Sequence, residues 1–239
     1  MQSPFNNFLN SNQKANATKS GLFYGNPRMS QAIAMSQPNE TCSEIIKSGA
    51  LNKYYNMPYQ SFVEFTGATA KKELAEMLKI QSAVTVDDIK FINKCEDDHA
   101  ATWVDVIKEI GLPEIDKKEF EKFIDVTDGV LYNLKYYYQR PRPEQLAYFY
   151  GVKLYPLLAT SACSPSYPGG HAFDAYRIAF LLGKRYPEKS PQLLSHAERV
   201  SMSRVQGGVH YPSDSIISKM LARELVDQGF FDSFLEHSK

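Results

Sequence analysis

The sequence predicts an all-α protein that folds as a single-domain helical bundle. Apolar residues recur at spacings of three and four residues in several successive stretches, which is the period of an amphipathic helix. No stretch alternates apolar and polar residues as a half-buried strand does, and no internal repeat is present. A chain of 239 residues with 43% hydrophobic and 23% charged residues is long enough to bury one sizeable core.

Residues 1–40 differ in composition from the rest of the chain. They are rich in Asn, Ser, Gln and Gly and have little periodicity, so we predict an irregular N-terminal arm followed by a helical domain at 41–239. The arm has no apolar segment typical of a signal peptide, and no later run approaches the roughly eighteen apolar residues of a membrane span. We therefore expect a cytoplasmic protein with no membrane span.

Positive and negative side chains are balanced at 27 each. No overall field therefore attracts nucleic acid or an anionic membrane surface, and we expect no nucleic-acid partner. The three cysteines, Cys42, Cys95 and Cys163, are odd in number and irregularly spaced, which suits neither a disulfide framework nor a zinc site. We expect reduced thiols, and we expect any attraction for an anion to arise locally.

The first predicted helices pack the core. Residues 71–80 carry apolar side chains at helical spacing, and similar stripes run through 86–94 and 99–110. Three acids, Glu96, Asp97 and Asp98, stand immediately before His99. Adjacent acids on a helix point in different directions, so we interpret this cluster as a solvated face and not as a metal site.

A longer helix is predicted from Asp116 to about Gln139, after a break at Pro113. Its apolar positions fall largely along one side, and they are Phe120, Phe123, Ile124, Leu131 and Leu134. Lys135 lies near the end of this helix. The two prolines that flank Arg142 cannot continue it, so Arg142 is expected on a bend from which it turns toward the same site as Lys135.

Three further helices are predicted after a stretch rich in turn-forming residues. The first is a core helix from His171 to Lys184, and the second spans Gln192 to Arg204. The third opens with Ser213 as its N-cap, has Asp214 in its first turn and continues to about Asp227. The last helix therefore begins next to a histidine, His210.

Three short segments in the second half of the chain concentrate cationic and imidazole side chains. They are residues 135–143, 168–171 and 203–214, and their functional side chains are Lys135, Arg142, His171, Arg204, His210 and Asp214. A phosphate monoester carries nearly two negative charges, and its hydrolysis spreads charge over the equatorial oxygens, so a protein mainly supplies positioned positive donors. Cations, two histidines and an aspartate four residues after the second histidine suit a metal-free phosphoryl-transfer site with a histidine nucleophile.

These segments resemble the three-part signature of the type 2 phosphatidic acid phosphatase superfamily, which also holds bacterial class A nonspecific acid phosphatases and vanadium haloperoxidases. The signature is Lys, six residues, Arg-Pro; then Pro-Ser-Gly-His; then Ser-Arg, five residues, His, three residues, Asp, and the chain matches its spacing and order. One letter departs, since Gly169 stands where the family has serine. The resemblance implies the family's helical-bundle fold, and the local residues look closest to the soluble class A acid phosphatases.

The resemblance also implies a role for each matched residue. His210 is the nucleophile that forms a phosphohistidine, Asp214 orients its other ring nitrogen, and His171 is the general acid that protonates the leaving oxygen. The implied phosphate-binding residues are Lys135, Arg142, Gly169, Gly170 and Arg204. The His–Asp pair is physically reasonable, because a hydrogen bond to the carboxylate fixes the imidazole tautomer and leaves the second nitrogen free for attack. A charged His171 favours activity at mildly acidic pH.

We therefore expect a metal-independent phosphomonoester hydrolase, an acid phosphatase-like enzyme whose substrates are soluble small-molecule phosphate monoesters. No cofactor is expected, and phosphate or vanadate could occupy the site. Two alternatives stay open. A vanadate-dependent haloperoxidase would hold vanadate on the same histidine, and a catalytically weakened phosphate-binding homologue would follow from the hydroxyl that Gly169 lacks.

Several histidines and tyrosines have no place in the signature. The histidines expected to be ordinary core or surface residues are His99, His196 and His237. The tyrosines read either as part of an arm that docks on the core or as part of a homo-oligomer contact are Tyr54, Tyr55 and Tyr59. The aromatic run at 136–138 is expected to pack or to lie at the rim of the site.

Overall fold

The computed structural model describes residues 40–56, 67–154, 156–157 and 164–235, and within these ranges every element of regular secondary structure is a helix. This confirms the all-α prediction. The α-helices are α1 (Glu40–Ser48), α2 (Ala68–Ser82), α3 (Val86–Asp97), α4 (His99–Glu109), α5 (Lys117–Asp125), α6 (Asp128–Tyr138), α7 (Pro143–Phe149), α8 (Gly170–Arg185), α9 (Ser190–Gln206) and α10 (Pro212–Asp227). Short 3-10 helices lie at Asn52–Asn56 and Pro187–Lys189. The predicted arm lies outside the described residues except for Glu40, which begins α1.

The core is built around α8. Every residue from 172 to 182 is buried, and a helix that is buried on all sides must be surrounded by others. Helices α9 and α10 make the most extensive contacts with it. Within the described ranges, nonetheless, none of the helices combines the length and the apolar character needed to cross a membrane.

The helix predicted from 116 to 139 is two helices, α5 and α6, which corrects that prediction. The chain turns at residues 126–127 before Asp128 begins α6. The two turn residues are valine and threonine, whose branched side chains are poor helix formers, and a glycine follows Asp128. The apolar stripe continues across the break, because Phe123 in α5 and Leu131 in α6 are both buried. Periodicity alone therefore did not reveal the turn.

The bend after α6 forms as predicted. Gln139 has a left-handed φ of 49°, which ends α6. Pro143 then occupies the first turn of α7, where its missing N–H is harmless, and Arg142 is the N-cap residue. The backbone N–H of Arg142 donates to the side-chain oxygen of Gln145 at 2.8 Å. The bend turns the chain so that Lys135 and Arg142 line one pocket.

Helix α10 begins at Pro212 with Tyr211 as its N-cap, so the prediction of Ser213 as the N-cap is wrong. Proline is favoured in the first turn of a helix because the N–H that it lacks would have no helical partner there. Asp214 lies in the first turn as predicted, and its carboxylate accepts the N–H of Tyr211 at 3.0 Å. The hydroxyl of Ser213 instead accepts a hydrogen bond from Arg140 at 2.6 Å.

Two of the unassigned tyrosines dock on the core. The hydroxyl of Tyr54 donates to the carboxylate of Glu224 at 2.5 Å. The ring of Tyr55 meets that of Tyr137 edge to face, with a centroid distance of 4.8 Å. These contacts favour the docking interpretation for both residues, and Tyr59 lies outside the described residues.

Candidate active site

The three segments meet at a pocket of about 220 Å³, which we call the cationic pocket. Its lining residues from the three segments are Lys135, Arg142, Gly170, His171, Arg204 and His210. Gly169 and Asp214 do not line the pocket, but both adjoin the ring of His210. The fold thus brings all the predicted site residues together from α6, α8, α9 and α10 and from the loops that precede α7 and α10.

A wider cavity of about 1060 Å³ lies along α8, α9 and α10. Its lining includes the exposed apolar side chains of Met202, Ile216 and Met220. It contains none of the predicted site residues. Size alone does not locate chemistry, and the convergent charged groups of the smaller cationic pocket mark it as the candidate active site.

Lys135 and Arg142 are oriented by backbone carbonyl groups. The Nζ of Lys135 donates to the carbonyl oxygen of Pro165 at 2.7 Å, and the Nε of Arg142 donates to that of Ser164 at 2.7 Å. Arg142 also donates from Nη1 to the carbonyl oxygen of Val209 at 2.8 Å. Carbonyl acceptors hold a cation in place without cancelling its charge, so the two side chains stay suited to an anion.

His210 lies between a guanidinium and a carboxylate. Its Nε2 is 3.0 Å from Nη1 of Arg142, and its Nδ1 is 3.0 Å from Oδ2 of Asp214. A guanidinium only donates, so Nε2 must carry the lone pair and Nδ1 the proton that Asp214 accepts. Burial and, after it, the charge of Arg142 lower the pKa of His210 to about 3, although Asp214 opposes the change. The imidazole is therefore neutral at neutral pH, which is the form that a nucleophile requires.

Asp214 is kept ionised by groups that sequence reasoning did not single out. Burial would raise the pKa of this carboxyl, but Arg140 and the hydrogen bond with His210 hold it below its usual range. The Nη1 of Arg140 donates to Oδ1 of Asp214 at 2.7 Å, and its Nη2 donates to Glu73 in α2 at 2.7 Å. Arg140 lies inside the first segment, where it could have been noticed. Glu73 gives no local signal.

Arg204 is paired with Glu96 of α3. Its Nη1 lies 2.8 Å from Oε2 of Glu96, and the two side chains are 2% and 6% exposed. The expectation that Glu96 belongs to a solvated face is therefore wrong. Asp97 is exposed, and Asp98 accepts the N–H of Ala101 at 2.9 Å as the N-cap of α4, so the three acids do point in different directions.

His171 lies in the first turn of α8 and is stacked on His99. The ring centroids are 5.2 Å apart, with an angle of 26° between the planes. Burial lowers the pKa of His171 well below its ordinary value, and Arg204 and His99 lower it further. Burial likewise lowers the pKa of His99 to about 3. His99, which was expected to be an ordinary core or surface residue, thus supports the ring of His171. The lowered pKa favours an uncharged His171.

A side chain would fit at position 169, where this chain has glycine and the family has serine. Its φ of −79° is open to any L-residue, and a Cβ built there would lie 3.5 Å from Cε1 and Nδ1 of His210. The N–H of Gly169 donates to Oγ of Ser218 at 2.9 Å. Gly170 follows as the first residue of α8, whose positive dipole end favours an anion at the pocket.

Two acids also line the cationic pocket, and neither was predicted. They are Asp128, at the start of α6, and Asp174 of α8. Burial raises the pKa of Asp128 to about 6, and burial raises the pKa of Asp174 to about 7 although the ion pair with Arg177 at 2.8 Å opposes this. The break between α5 and α6, which periodicity did not reveal, is what places Asp128 here.

Comparison with known proteins links the site to one family. The family model of the PAP2 superfamily matches residues 124–224, a stretch that contains all three segments. A solved structure described as the first bacterial vanadium-dependent iodoperoxidase superposes with a TM-score of 0.50 at 16% identity, covering 70% of this chain and 50% of that chain. The chain thus spans about half the length of that peroxidase, and the likeness shows the fold alone. No curated protein sequence matches the chain.

We predict that binding of inorganic phosphate at pH 7 takes up protons. Burial holds the pKa of His171 below its ordinary value, so the ring is neutral at pH 7, and a bound dianion raises this pKa. A dianion shifts the pKa values of Asp128 and Asp174 in the same direction. Calorimetric titration in buffers of different ionisation enthalpy measures the uptake. His171→Gln should bind phosphate with a smaller uptake, and a binding heat independent of the buffer would contradict the prediction.

Proposed function

On the premise that the match of the PAP2 superfamily model to residues 124–224, which contain the three segments, extends to function, we propose that this chain is a metal-independent phosphomonoester hydrolase. Its substrates are soluble phosphate monoesters, and its reaction passes through a phosphohistidine. One observation carries the proposal: three cationic side chains converge on a pocket with a neutral His210 whose Nδ1 is bound to a carboxylate.

The cations bind the phosphate group. Lys135, Arg142 and Arg204 surround the pocket, and the start of α8 adds N–H groups at its positive end. The forked guanidinium groups engage two oxygens each, whereas the ammonium group acts as a point charge. Nη1 of Arg142 contacts Nε2 of His210 in this structure. A phosphate oxygen that binds Nη1 would therefore release Nε2.

His210 then attacks the phosphorus. The lone pair of Nε2 forms the P–N bond while the bond between phosphorus and the ester oxygen breaks, and His171 gives its proton to the leaving oxygen. Positive charge develops on the ring of His210, where the carboxylate of Asp214 stabilises it. His171 gains the proton that this step needs when the bound dianion raises its pKa.

Water completes the cycle. The now neutral His171 accepts a proton from a water molecule as that water attacks the phosphorus, and the P–N bond breaks. Inorganic phosphate forms, His210 returns to its neutral state, and His171 holds the proton for the next turnover. Each proton taken from one group is thereby returned, and the reaction consumes only ester and water.

Replacement of His210 by alanine tests the nucleophile. We expect His210→Ala to lower the hydrolysis of an aryl phosphate at least about a thousandfold, because it removes the imidazole that forms the phosphoenzyme in this mechanism. The assay is run without added metal, and vanadate should inhibit the wild-type chain. His196→Gln is the control, since His196 bonds to Thr102 outside the pocket and should keep its activity.

Two outcomes of this assay would overturn the proposal. Full hydrolysis by His210→Ala would exclude the histidine as the nucleophile. Halide oxidation with vanadate and peroxide, in the absence of ester hydrolysis, would assign the chain to the haloperoxidase alternative instead.

The rate of hydrolysis should rise as pH falls from 8 to about 5. His171 must carry a proton to act as the acid, and its low pKa in the free enzyme makes the protonated form scarcer at high pH. His210 stays neutral through this range because its pKa is about 3. A profile of kcat/KM against pH measures the effect, and an optimum above pH 8 would contradict the role of His171.

A weakened phosphate binder is the second candidate, and it follows from Gly169. The family's serine hydroxyl is missing, and the N–H of Gly169 is already bonded to Ser218. Loss of one donor to the transition state costs up to about 4 kcal/mol in other enzymes. A chain of this kind would bind phosphate with turnover near background.

Gly169→Ser distinguishes the two candidates. The added Cβ has ordinary contacts, so the hydroxyl is expected to raise kcat about tenfold or more. Gly169→Ala is the matched control, because it adds the same Cβ without the donor and should not raise kcat. Equal kcat values for the two variants would mean that another group already supplies this hydrogen bond.

A further inference from the structure

Arg140 binds Asp214 on the side that faces away from His210. Its Nη1 donates to Oδ1 of Asp214 at 2.7 Å, its Nη2 donates to Oε2 of Glu73 at 2.7 Å, and its guanidinium carbon lies 3.9 Å from the ring centroid of Tyr211. Arg140 is 1% exposed and Asp214 is fully buried. Arg140, Glu73 and Asp214 do not line the cationic pocket, so they cannot touch a ligand there.

We infer that Arg140, held in place by Glu73, is a positioning residue for His210. It keeps the carboxylate of Asp214 ionised and turned so that Oδ2 accepts the Nδ1 proton of His210, which leaves the lone pair on Nε2. This inference rests on the proposed function only in that Nε2 is the attacking atom.

A buried carboxylate needs compensation to stay ionised. Burial alone would raise the pKa of Asp214, and Arg140 is the foremost of the groups that lower it, ahead of His210 and the backbone N–H of Tyr211. Lys135 also faces this carboxylate at longer range. Without Arg140 the carboxyl holds a proton to a higher pH and no longer accepts the one on Nδ1. The tautomer of His210 then depends on Arg142 alone, and the Nε2-protonated form, which cannot attack, gains population.

Arg140 lies between two acids, Glu73 and Asp214, and Glu73 holds it in place. Its Oε1 accepts the backbone N–H of Ser213 at 2.6 Å, at the start of α10, while its Oε2 accepts Arg140. Burial alone would lower the pKa of Arg140, but Asp214 and Glu73 raise it above its ordinary value, so its charge is secure. One carboxylate from α2 therefore joins the guanidinium to the helix that carries Asp214.

The tautomer of His210 tests the inference without any substrate. In the wild-type chain, ring ¹⁵N chemical shifts should show Nδ1 protonated and Nε2 unprotonated. In Arg140→Gln the Nε2-protonated form should gain population at acid pH, because Asp214 then takes up a proton at a higher pH than in the wild-type chain and only Arg142 still favours the lone pair on Nε2. Arg177→Gln is the matched control: Arg177 is also fully buried and paired with an aspartate at 2.8 Å, so it should lose stability and keep the wild-type tautomer of His210.

The pH profile provides the second readout. Arg140→Gln should lower kcat about 10²- to 10⁴-fold, as a wrong tautomer does in other His–Asp sites, with a smaller change in KM. Its acid limb should move to higher pH by at least one unit. Arg140→Lys keeps the charge and should recover part of both effects, which a purely structural role for Arg140 would not produce.

The outcomes separate this inference from the proposed function. An unchanged tautomer and an unchanged pH profile in Arg140→Gln would overturn the positioning role. A shifted tautomer in a chain without hydrolase activity would support the role of Arg140 and contradict the phosphatase. If Arg140→Gln does not fold, Arg140→Lys decides by the same two readouts, since it weakens the contact with Asp214 with a smaller loss of charge compensation.

Discussion

The burial of several cationic side chains in one helical bundle is the constraint on which this structure depends. A buried charge is unstable unless hydrogen-bonded partners surround it, and the partners differ among these residues. Lys135 and Arg142 are held by backbone carbonyl groups, whereas Arg140 lies between the carboxylates of Glu73 and Asp214. Carbonyl groups leave the charge of Lys135 and Arg142 uncancelled, whereas two acids cancel the charge of Arg140. Arg204 lies between these cases, because it lines the pocket with one acid as its partner.

The local sequence predicted most of the fold, and the fold brings the predicted site residues together. Prolines and glycines act within a few residues, so the bend at Arg142 and the start of α8 could be predicted from neighbouring letters. The partners that hold the site could not, because Glu73 and Glu96 come from α2 and α3 and reach the site only through tertiary packing. The same limit explains the missed break between α5 and α6, since the apolar stripe passes through it unchanged.

The second and third segments stay joined although position 169 is a glycine. The hydroxyl of Ser218, one helical turn after Asp214, accepts the N–H of Gly169 and lies within hydrogen-bond distance of the carbonyl oxygens of both residues. A hydroxyl is therefore present beside Gly169, but it lies behind the pocket and ties backbone to backbone. The missing serine removes a donor from the ligand side and leaves this connection intact, so the structure keeps its form where its chemistry departs from the family signature.

The turn between α5 and α6 has a consequence for how long an anion stays. It brings Asp128 into the lining of the pocket, together with Asp174. A dianion held by Lys135 and Arg142 is then repelled by these acids of the same small cavity, and the repulsion grows as the two carboxyls lose their protons between about pH 6 and 7. The pocket therefore binds an anion most tightly at acidic pH and less tightly near neutral pH. The residence time of the bound anion falls as the pH rises.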